Sequence, residues 1–301
     1  MNAVQYSQFG GPEVLELVDV PDPHPGPGQI RVRVRAVGIN PIDWKVRSGM
    51  MGGDLPKRTG LEVAGIVDEL GEGVTDVAVG DRVFGSAAGG DGAAERALLE
   101  HYAPIPGSLE FAAAAALTVA VETAVRTLDL LGVTSGQTLL VNGAAGAVGA
   151  AAAQIARERG ARVIGTASEV NHDYLTELGA EPTTYGEGMA ERVRALAPDG
   201  VDAALDAGGG GVLPALVELT GGPEHVVTIV DYPGAEETGV TFSGGPGSER
   251  AWHALGEVGP LIEAGAFTLP VAHTFPLADV AEAHRQSETG HGRGKIVLTV
   301  D

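Results

Sequence analysis

The chain has 301 residues, no cysteine and a formal net charge of −21, a length that predicts two folding units rather than one ordinary core. The missing cysteines remove disulfides, a thiolate nucleophile and every cysteine-containing zinc site, and the acidic balance sets the chain against phosphate backbones and anionic lipid, so no nucleic-acid partner is expected. No apolar run of about 18 residues is free of charge, and the N-terminus MNAVQYSQFGGPEV lacks a basic start and a cleavage pattern; the expectation is a protein of the cytoplasm with no membrane span.

Residues 29–37 alternate Ile30, Val32 and Val34 with Arg31, Arg33 and Arg35, a period of two that predicts a strand with one dry and one wet face. Similar strands are predicted over 3–6, 14–20, 63–70 and 82–84, separated by turn clusters at 21–27, 71–73 and 89–92, so the first part of the chain reads as mainly β. From Phe111 onwards helices alternate with short apolar strands, which is the pattern of βαβ units on a parallel sheet. The strands are placed at 138–142, 162–166, 182–185, 201–206 and 225–230, with helices at 147–159, 173–178, 189–196 and 212–219. A sixth strand is placed near 238–242 or 268–270, followed by a helix over 277–286 and a last strand over 295–300 that returns to the first domain.

The run from Thr138 through Gly143, Ala145, Gly146, Ala147, Val148 and Gly149 is a strand, a glycine-rich turn and the start of an amphipathic helix. Glycines let the backbone approach a pyrophosphate, and a helix N-terminus offers it unpaired N–H groups. The alternative is a turn in which the glycines serve only the fold. The following strand ends at Thr166, and Ala167-Ser168 stands where an NAD-binding fold usually carries an acid for the ribose 2′-hydroxyl. Ser168 hydrogen-bonds a 2′-phosphate without repelling it, which favours NADPH; Glu169 beside it leaves NADH possible.

Together with the motifs Val37-Gly-Ile-Asn40-Pro-Ile-Asp43, Gly60-Leu-Glu62-Val-Ala-Gly65, Gly80-Asp-Arg-Val-Phe84-Gly85, Glu122-Thr123-Ala124, Leu178-Gly-Ala180, Val201-Asp-Ala-Ala-Leu-Asp206 and Gly294-Lys295-Ile-Val-Leu298, this loop resembles the zinc-independent quinone oxidoreductase branch of the medium-chain dehydrogenase/reductase superfamily, nearly end to end. The resemblance implies an α/β protein with a mainly-β GroES-like catalytic domain over 1–112 and 268–301 and a doubly wound parallel-sheet Rossmann domain over 113–267. In zinc-dependent members a cysteine falls within the segment matching 38–43 and a histidine precedes the residue matching Glu62. Here that place holds Leu61, which cannot ligate a metal, so neither catalytic nor structural zinc is expected unless a site is built from histidine and carboxylate alone.

The implied function is a reductase passing hydride from NADPH to a quinone or α,β-unsaturated carbonyl. Alternatives are a tailoring reductase or cyclase of specialised metabolism, and a dinucleotide-binding protein without fast turnover. By the same resemblance Asn40 lies beside the nicotinamide and donates to the reacting oxygen, unless it is simply a turn residue before Pro41. Asp43 holds Asn40 or the cofactor ribose, or starts a helical turn. Thr123 contacts the nicotinamide half or bonds its own backbone. Tyr185 packs against the adenine ribose or 2′-phosphate, although Gly186 replaces the basic residue that usually follows. Asp206 and Val230 stand at strand carboxyl ends where the fold binds its ligands, Asp206 alternatively capping its glycine-rich turn. Lys295 matches a family lysine or makes a surface salt bridge. Tyr232 or solvent supplies a proton, and Trp44, Met50, Met51 and Tyr232 are candidate pocket walls. The histidines His172, His253 and His284 read as surface or boundary residues, His172 alone being able to approach a 2′-phosphate. Relatives pair the edges of their cofactor sheets, so a homodimer is expected.

Overall fold

The computed structural model describes every residue except Ser108, Pro246 and His291. The chain divides into two compact units, one of residues 1–119, 255–263 and 269–301, the other of residues 120–254 and 264–268.

The first unit opens with β1 (Asn2–Tyr6) and β2 (Glu16–Asp19), then β3 (Ile30–Ile39), α1 (Pro41–Arg47), β4 (Lys57–Arg58), β5 (Glu62–Leu70), β6 (Arg82–Ala87), β7 (Arg96–Pro104) and α2 (Phe111–Ala114). In β3 the predicted alternation holds: Ile30, Val32 and Val34 are buried, while Arg31 leaves the core to pair with Asp68 at 2.7 Å. β3 pairs with both β5 and β7, and β7 with β6, so these four strands curl around one apolar core that includes Val32, Val34, Val63, Val83 and Leu99. Asn40 and Pro41 start a helix, as the alternative for Asp43 required.

α3 (Thr118–Leu130) leads into the second unit, with β8 (Thr138–Asn142), α4 (Ala147–Glu158), β9 (Arg162–Thr166), α5 (His172–Glu177), β10 (Glu181–Thr183), α6 (Met189–Leu196), β11 (Ala203–Asp206), α7 (Leu213–Thr220), β12 (Val226–Thr228), α8 (Tyr232–Thr238) and β13 (Thr241–Phe242). The six strands form one parallel sheet in the order β10-β9-β8-β11-β12-β13. Their direction of progression reverses between β8 and β11, the switch point at which such sheets bind ligands. β13 settles the sixth strand at the first of its two predicted places. Two strands stop short of prediction. β10 ends at Thr183 because the Arg192 guanidinium draws off the Thr184 carbonyl at 2.9 Å, and β12 ends at Thr228, whose hydroxyl accepts from the N–H groups of Val230 and Asp231 at 3.2 Å.

The chain returns to the first unit through α9 (Ala254–Glu263), β14 (Val271–Pro276), α10 (Val280–Glu288) and β15 (Lys295–Thr299). β15 runs antiparallel to β3 and parallel to β14, extending the sheet to β14-β15-β3-β5-β6-β7. Among the described residues one stretch, Phe111–Leu130, is apolar and long enough by composition to cross a membrane, and 78% of its apolar window is buried inside the protein.

Candidate functional site

In the first unit the end of β3 is flanked on both sides. Gly38 stands opposite Glu62 of β5, and Ile39 stands opposite Ile296 of β15, so Asn40 emerges between Glu62 and Lys295. All three side chains are buried. The Asn40 Nδ2 donates to Glu62 Oε1 at 2.9 Å, and the Lys295 Nζ donates to Asn40 Oδ1 at 2.6 Å and lies 2.5 Å from Glu62 Oε1. The second Glu62 oxygen accepts the Val119 N–H at 2.7 Å. Gly38 makes room for this arrangement, because a Cβ there would lie 2.5 Å from Glu62 Oε1 and 2.4 Å from the Ala115 carbonyl oxygen.

Asp43, one turn into α1, accepts the Asn40 backbone N–H at 2.7 Å and the Thr59 hydroxyl at 3.3 Å. Burial pushes its carboxyl up to about 6, against the opposing pull of the Asn40 N–H and the Lys295 charge. Sequence reasoning thus brings Asn40 and Asp43 together correctly. It misses Thr59 as a partner, and of the two readings left open for Lys295 the surface salt bridge does not hold, since the lysine is 4% exposed and paired with Glu62. A charged residue opening an apolar run in each strand, Glu62 before Val63-Ala-Gly-Ile-Val67 and Lys295 before Ile296-Val-Leu298, was the available signal. Met50 and Met51 are exposed.

A second correction falls in the same unit. His284 is fully buried, and its Nδ1 faces the Arg47 Nη1 at 3.3 Å. Arginine only donates, so Nδ1 is the acceptor and the proton sits on Nε2, which meets no hydrogen-bond partner among the described residues. Burial first, and the Arg47 charge second, hold this imidazole down at about 3.

In the second unit a row of hydrogen bonds crosses the carboxyl ends of four adjacent strands. The Thr228 hydroxyl donates to Asp206 Oδ2 at 2.8 Å, Asn142 Nδ2 donates to Asp206 Oδ1 at 2.8 Å, and the Thr166 hydroxyl donates to Asn142 Oδ1 at 2.7 Å. The Thr166 oxygen in turn accepts the Gly143 N–H at 3.1 Å. Asp206 also accepts the N–H groups of Gly208 and Gly209 at 3.1 and 2.7 Å, so it caps the glycine-rich turn, where Gly209, Gly210 and Gly211 all have positive φ. Asn142, Thr166 and Thr228 escaped the sequence reading, although each is a polar residue at the end of an apolar strand.

This row fixes the Gly143–Gly149 turn. A Cβ on Gly143 would lie 2.8 Å from the Gly208 Cα, and one on Gly149 would lie 2.4 Å from the Gly143 carbonyl oxygen. Gly146 is different, since its Cβ would meet only that oxygen, at 3.4 Å. Gly146 is also the N-cap of the twelve-residue α4, and no side chain caps that end. The first-turn donors of Ala147, Val148 and Gly149 are left for a ligand.

The remaining candidates lie apart from this turn in chain and in role. Ser168 accepts from the Asn171 Nδ2 at 3.0 Å just after β9, next to the end of β10 through the Ala167 N–H to Thr183 carbonyl bond of 3.0 Å. Tyr185 is 56% exposed beyond that strand, and the buried His172 Nε2 is without a partner among the described residues. Thr123 lies beside a buried ion pair on α3 between Glu122 and Arg126 at 2.7 Å, and its hydroxyl contacts the Glu122 carboxylate at 3.3 Å. It does not bond its own helix backbone, as Thr127 does. Tyr232, which is 54% exposed, donates its hydroxyl to Glu236 at 2.8 Å, and that carboxylate raises the phenol above its ordinary value. Val230 follows the Thr228 turn and is partly exposed.

Residues 26–129 match the alcohol dehydrogenase GroES-like domain family, and residues 178–298 match the zinc-binding dehydrogenase family. A quinone oxidoreductase from Mus musculus is 34% identical over 99% of this chain and 97% of its own length. Quinone oxidoreductases from Lama guanicoe and Rattus norvegicus match at 41% and 39% identity, but the matched stretches span only 52% and 57% of their lengths. Among solved structures, the quinone oxidoreductase from Coxiella burnetii superposes with a TM-score of 0.87 at 31% identity, covering 100% of this chain and 99% of the other. A mycobacterial protein complexed with NADPH superposes at 0.84 with 29% identity, each chain covered in full.

Proposed function

As the chain belongs to the medium-chain dehydrogenase/reductase superfamily, alongside its quinone oxidoreductases, we propose that it is an NADPH-dependent reductase that passes hydride to a quinone or an α,β-unsaturated carbonyl without zinc. The observation that carries this reading is the uncapped N-terminus of α4, beside a glycine whose Cβ position is open. A dinucleotide pyrophosphate fits that cradle by charge and by space. The bound nicotinamide supplies a hydride, and the protein supplies position.

Within this reading the backbone of Gly143, Ala145, Gly146, Ala147, Val148 and Gly149 holds the pyrophosphate, with Asp206 keeping the adjoining turn in shape. Ser168 and Tyr185, with His172, take the ribose and its 2′-phosphate. Thr123 and Val230 contact the nicotinamide half. Asn40 donates an amide N–H to the oxygen that gains electron density, and Asp43 holds the Asn40 backbone. Such a donor takes the place of a Lewis acid for acceptors that are already electron-poor. The Tyr232 hydroxyl is committed to Glu236, which in this reading leaves solvent as the proton source. We assign the dinucleotide to residues 113–267 and substrate contacts to 1–112 and 268–301. A homodimer is part of the reading, and β13, with one side unpaired in the sheet, is the edge it would use.

The test is NADPH and NADH oxidation against a panel of quinones and enones, before and after treatment with a chelator, alongside metal analysis and light scattering. Turnover that survives chelation in metal-free protein is expected. Cofactor binding with no turnover on any acceptor would refute the reductase reading, and a stoichiometric zinc whose removal stops turnover would refute the zinc-free one.

A further inference from the structure

The Asn40 amide is held from both ends by groups that cannot exchange roles. An ammonium only donates, an ionised carboxylate only accepts, and a primary amide has one end of each kind. In the observed orientation the Lys295 ammonium meets Oδ1 at 2.6 Å and Glu62 Oε1 meets Nδ2 at 2.9 Å. Turning the amide over would place its NH2 against the ammonium and its oxygen against the carboxylate, two repulsions in a site where all three residues are at most 4% exposed. One orientation therefore survives. It commits one of the two Nδ2 protons to Glu62 and leaves the other uncommitted among the described residues.

Three features keep the clamp itself rigid. The Val119 N–H holds the far oxygen of Glu62 at 2.7 Å, Gly38 leaves space for its carboxylate, and the Glu62 and Lys295 charges neutralise each other at 2.5 Å. A positive charge on the amide oxygen also draws electron density from the nitrogen, which makes the uncommitted N–H a stronger donor.

We propose that Lys295 and Glu62 are positioning residues that lock the Asn40 amide in one orientation and polarise its free N–H toward the substrate oxygen. This rests on the reductase reading for what the N–H does, though not for the lock. Removing one charge alone would leave the other buried without its partner and risk the fold, so the main variant is the neutral double Lys295→Met/Glu62→Gln, with Lys295→Arg as the conservative control.

With NADPH and 1,4-naphthoquinone, the double variant is expected to lose at least about tenfold in kcat, with KM for both substrates held within about twofold. Asn40→Ala placed on top of it should cost no more than about a further twofold, because the interaction is already gone. Lys295→Arg should keep most of the activity. If Asn40→Ala is impaired while the double variant is not, or if the two losses multiply, the lock is wrong and the reductase reading stands. A readout independent of turnover is the Asn40 side-chain amide pair in 15N-resolved spectra, identified by its loss in Asn40→Ala. Wild type should show two resolved protons, the one held by Glu62 protected from exchange, and the double variant should exchange that proton at least about tenfold faster. Unchanged exchange overturns the lock even if no acceptor is ever turned over.

Discussion

Replacing Gly146 by valine separates the fold from the ligand more cleanly than any other change in the cofactor loop. The backbone there has φ −71° and ψ 165°, which a branched residue adopts without strain. The new Cβ would meet only the Gly143 carbonyl oxygen, at an ordinary 3.4 Å. Melting of the unliganded protein should therefore stay close to wild type. The two added methyl groups instead stand where a pyrophosphate must approach the α4 N-terminus. Losing two charge-assisted backbone hydrogen bonds, at about 1.5 to 3 kcal/mol each, weakens binding by on the order of 3 to 6 kcal/mol, more than about a hundredfold in Kd. Gly149→Ala is the opposite case, because its Cβ would sit 2.4 Å from the Gly143 oxygen and 2.8 Å from the Ala144 Cα. That overpacking should cost about 1 to 3 kcal/mol of stability. The assay is calorimetric titration with NADPH beside thermal unfolding of all three proteins. A Gly146→Val protein that melts like wild type and binds NADPH equally well would refute the assignment of this loop.

Three further outcomes follow from the same geometry. Ser168→Asp should move the ratio of kcat/KM from NADPH toward NADH by on the order of 2 to 4 kcal/mol; a ratio that does not move removes Ser168 as the discriminator and turns attention to Tyr185, His172 and Asn171. Asp43 has a carboxyl raised from 3.8 to about 6 by burial, so its contribution to stability is present below the lower value and lost as pH rises through the higher, by about 3 kcal/mol. Asp43→Asn should remove that decline between those pH values in chemical denaturation, and an identical pH slope in both proteins would contradict it. His284 has the opposite sign: its imidazole is depressed from 6.5 to about 3, so the folded protein loses up to about 5 kcal/mol as pH falls through that window. His284→Gln should flatten the acid limb, and an unaltered limb would mean that the ring is accessible to protons in the folded state.

What could be read in advance was whatever depends on neighbours in the chain. β3 announces itself because one face is dry and the other carries arginines, and the glycine turn because strand, turn and helix follow in order. β14 was invisible, since it is an edge strand with most side chains exposed and no apolar period. β7 was hidden by a register shift opposite Ser86 and Ala87, which leaves Glu100 and His101 exposed in succession and breaks the alternation. The ends of β10 and β12 were misplaced because a guanidinium from α6 and a threonine hydroxyl take over the backbone groups there. In the site, Asn40 and Asp43 lie three residues apart and could be paired from spacing. Lys295 could not be joined to Glu62, because only the antiparallel pairing of β15 with β3 brings them to one place.

The cluster that holds Asn40 also works against a bound cation. A zinc site needs at least three protein ligands with free lone pairs. More telling is what the one carboxylate at the matching motif already does. Glu62 Oε1 serves Asn40 and Lys295, and its other oxygen serves the Val119 N–H. A dication drawn to Glu62 would have to sit beside the Lys295 ammonium, and displacing that ammonium would leave a buried positive charge without its partner. A histidine restored at Leu61 would add a ligand without removing this charge. In the proposed reaction the buried lysine would take the electrostatic role of a metal, holding positive charge next to the amide that donates a hydrogen bond to the acceptor oxygen.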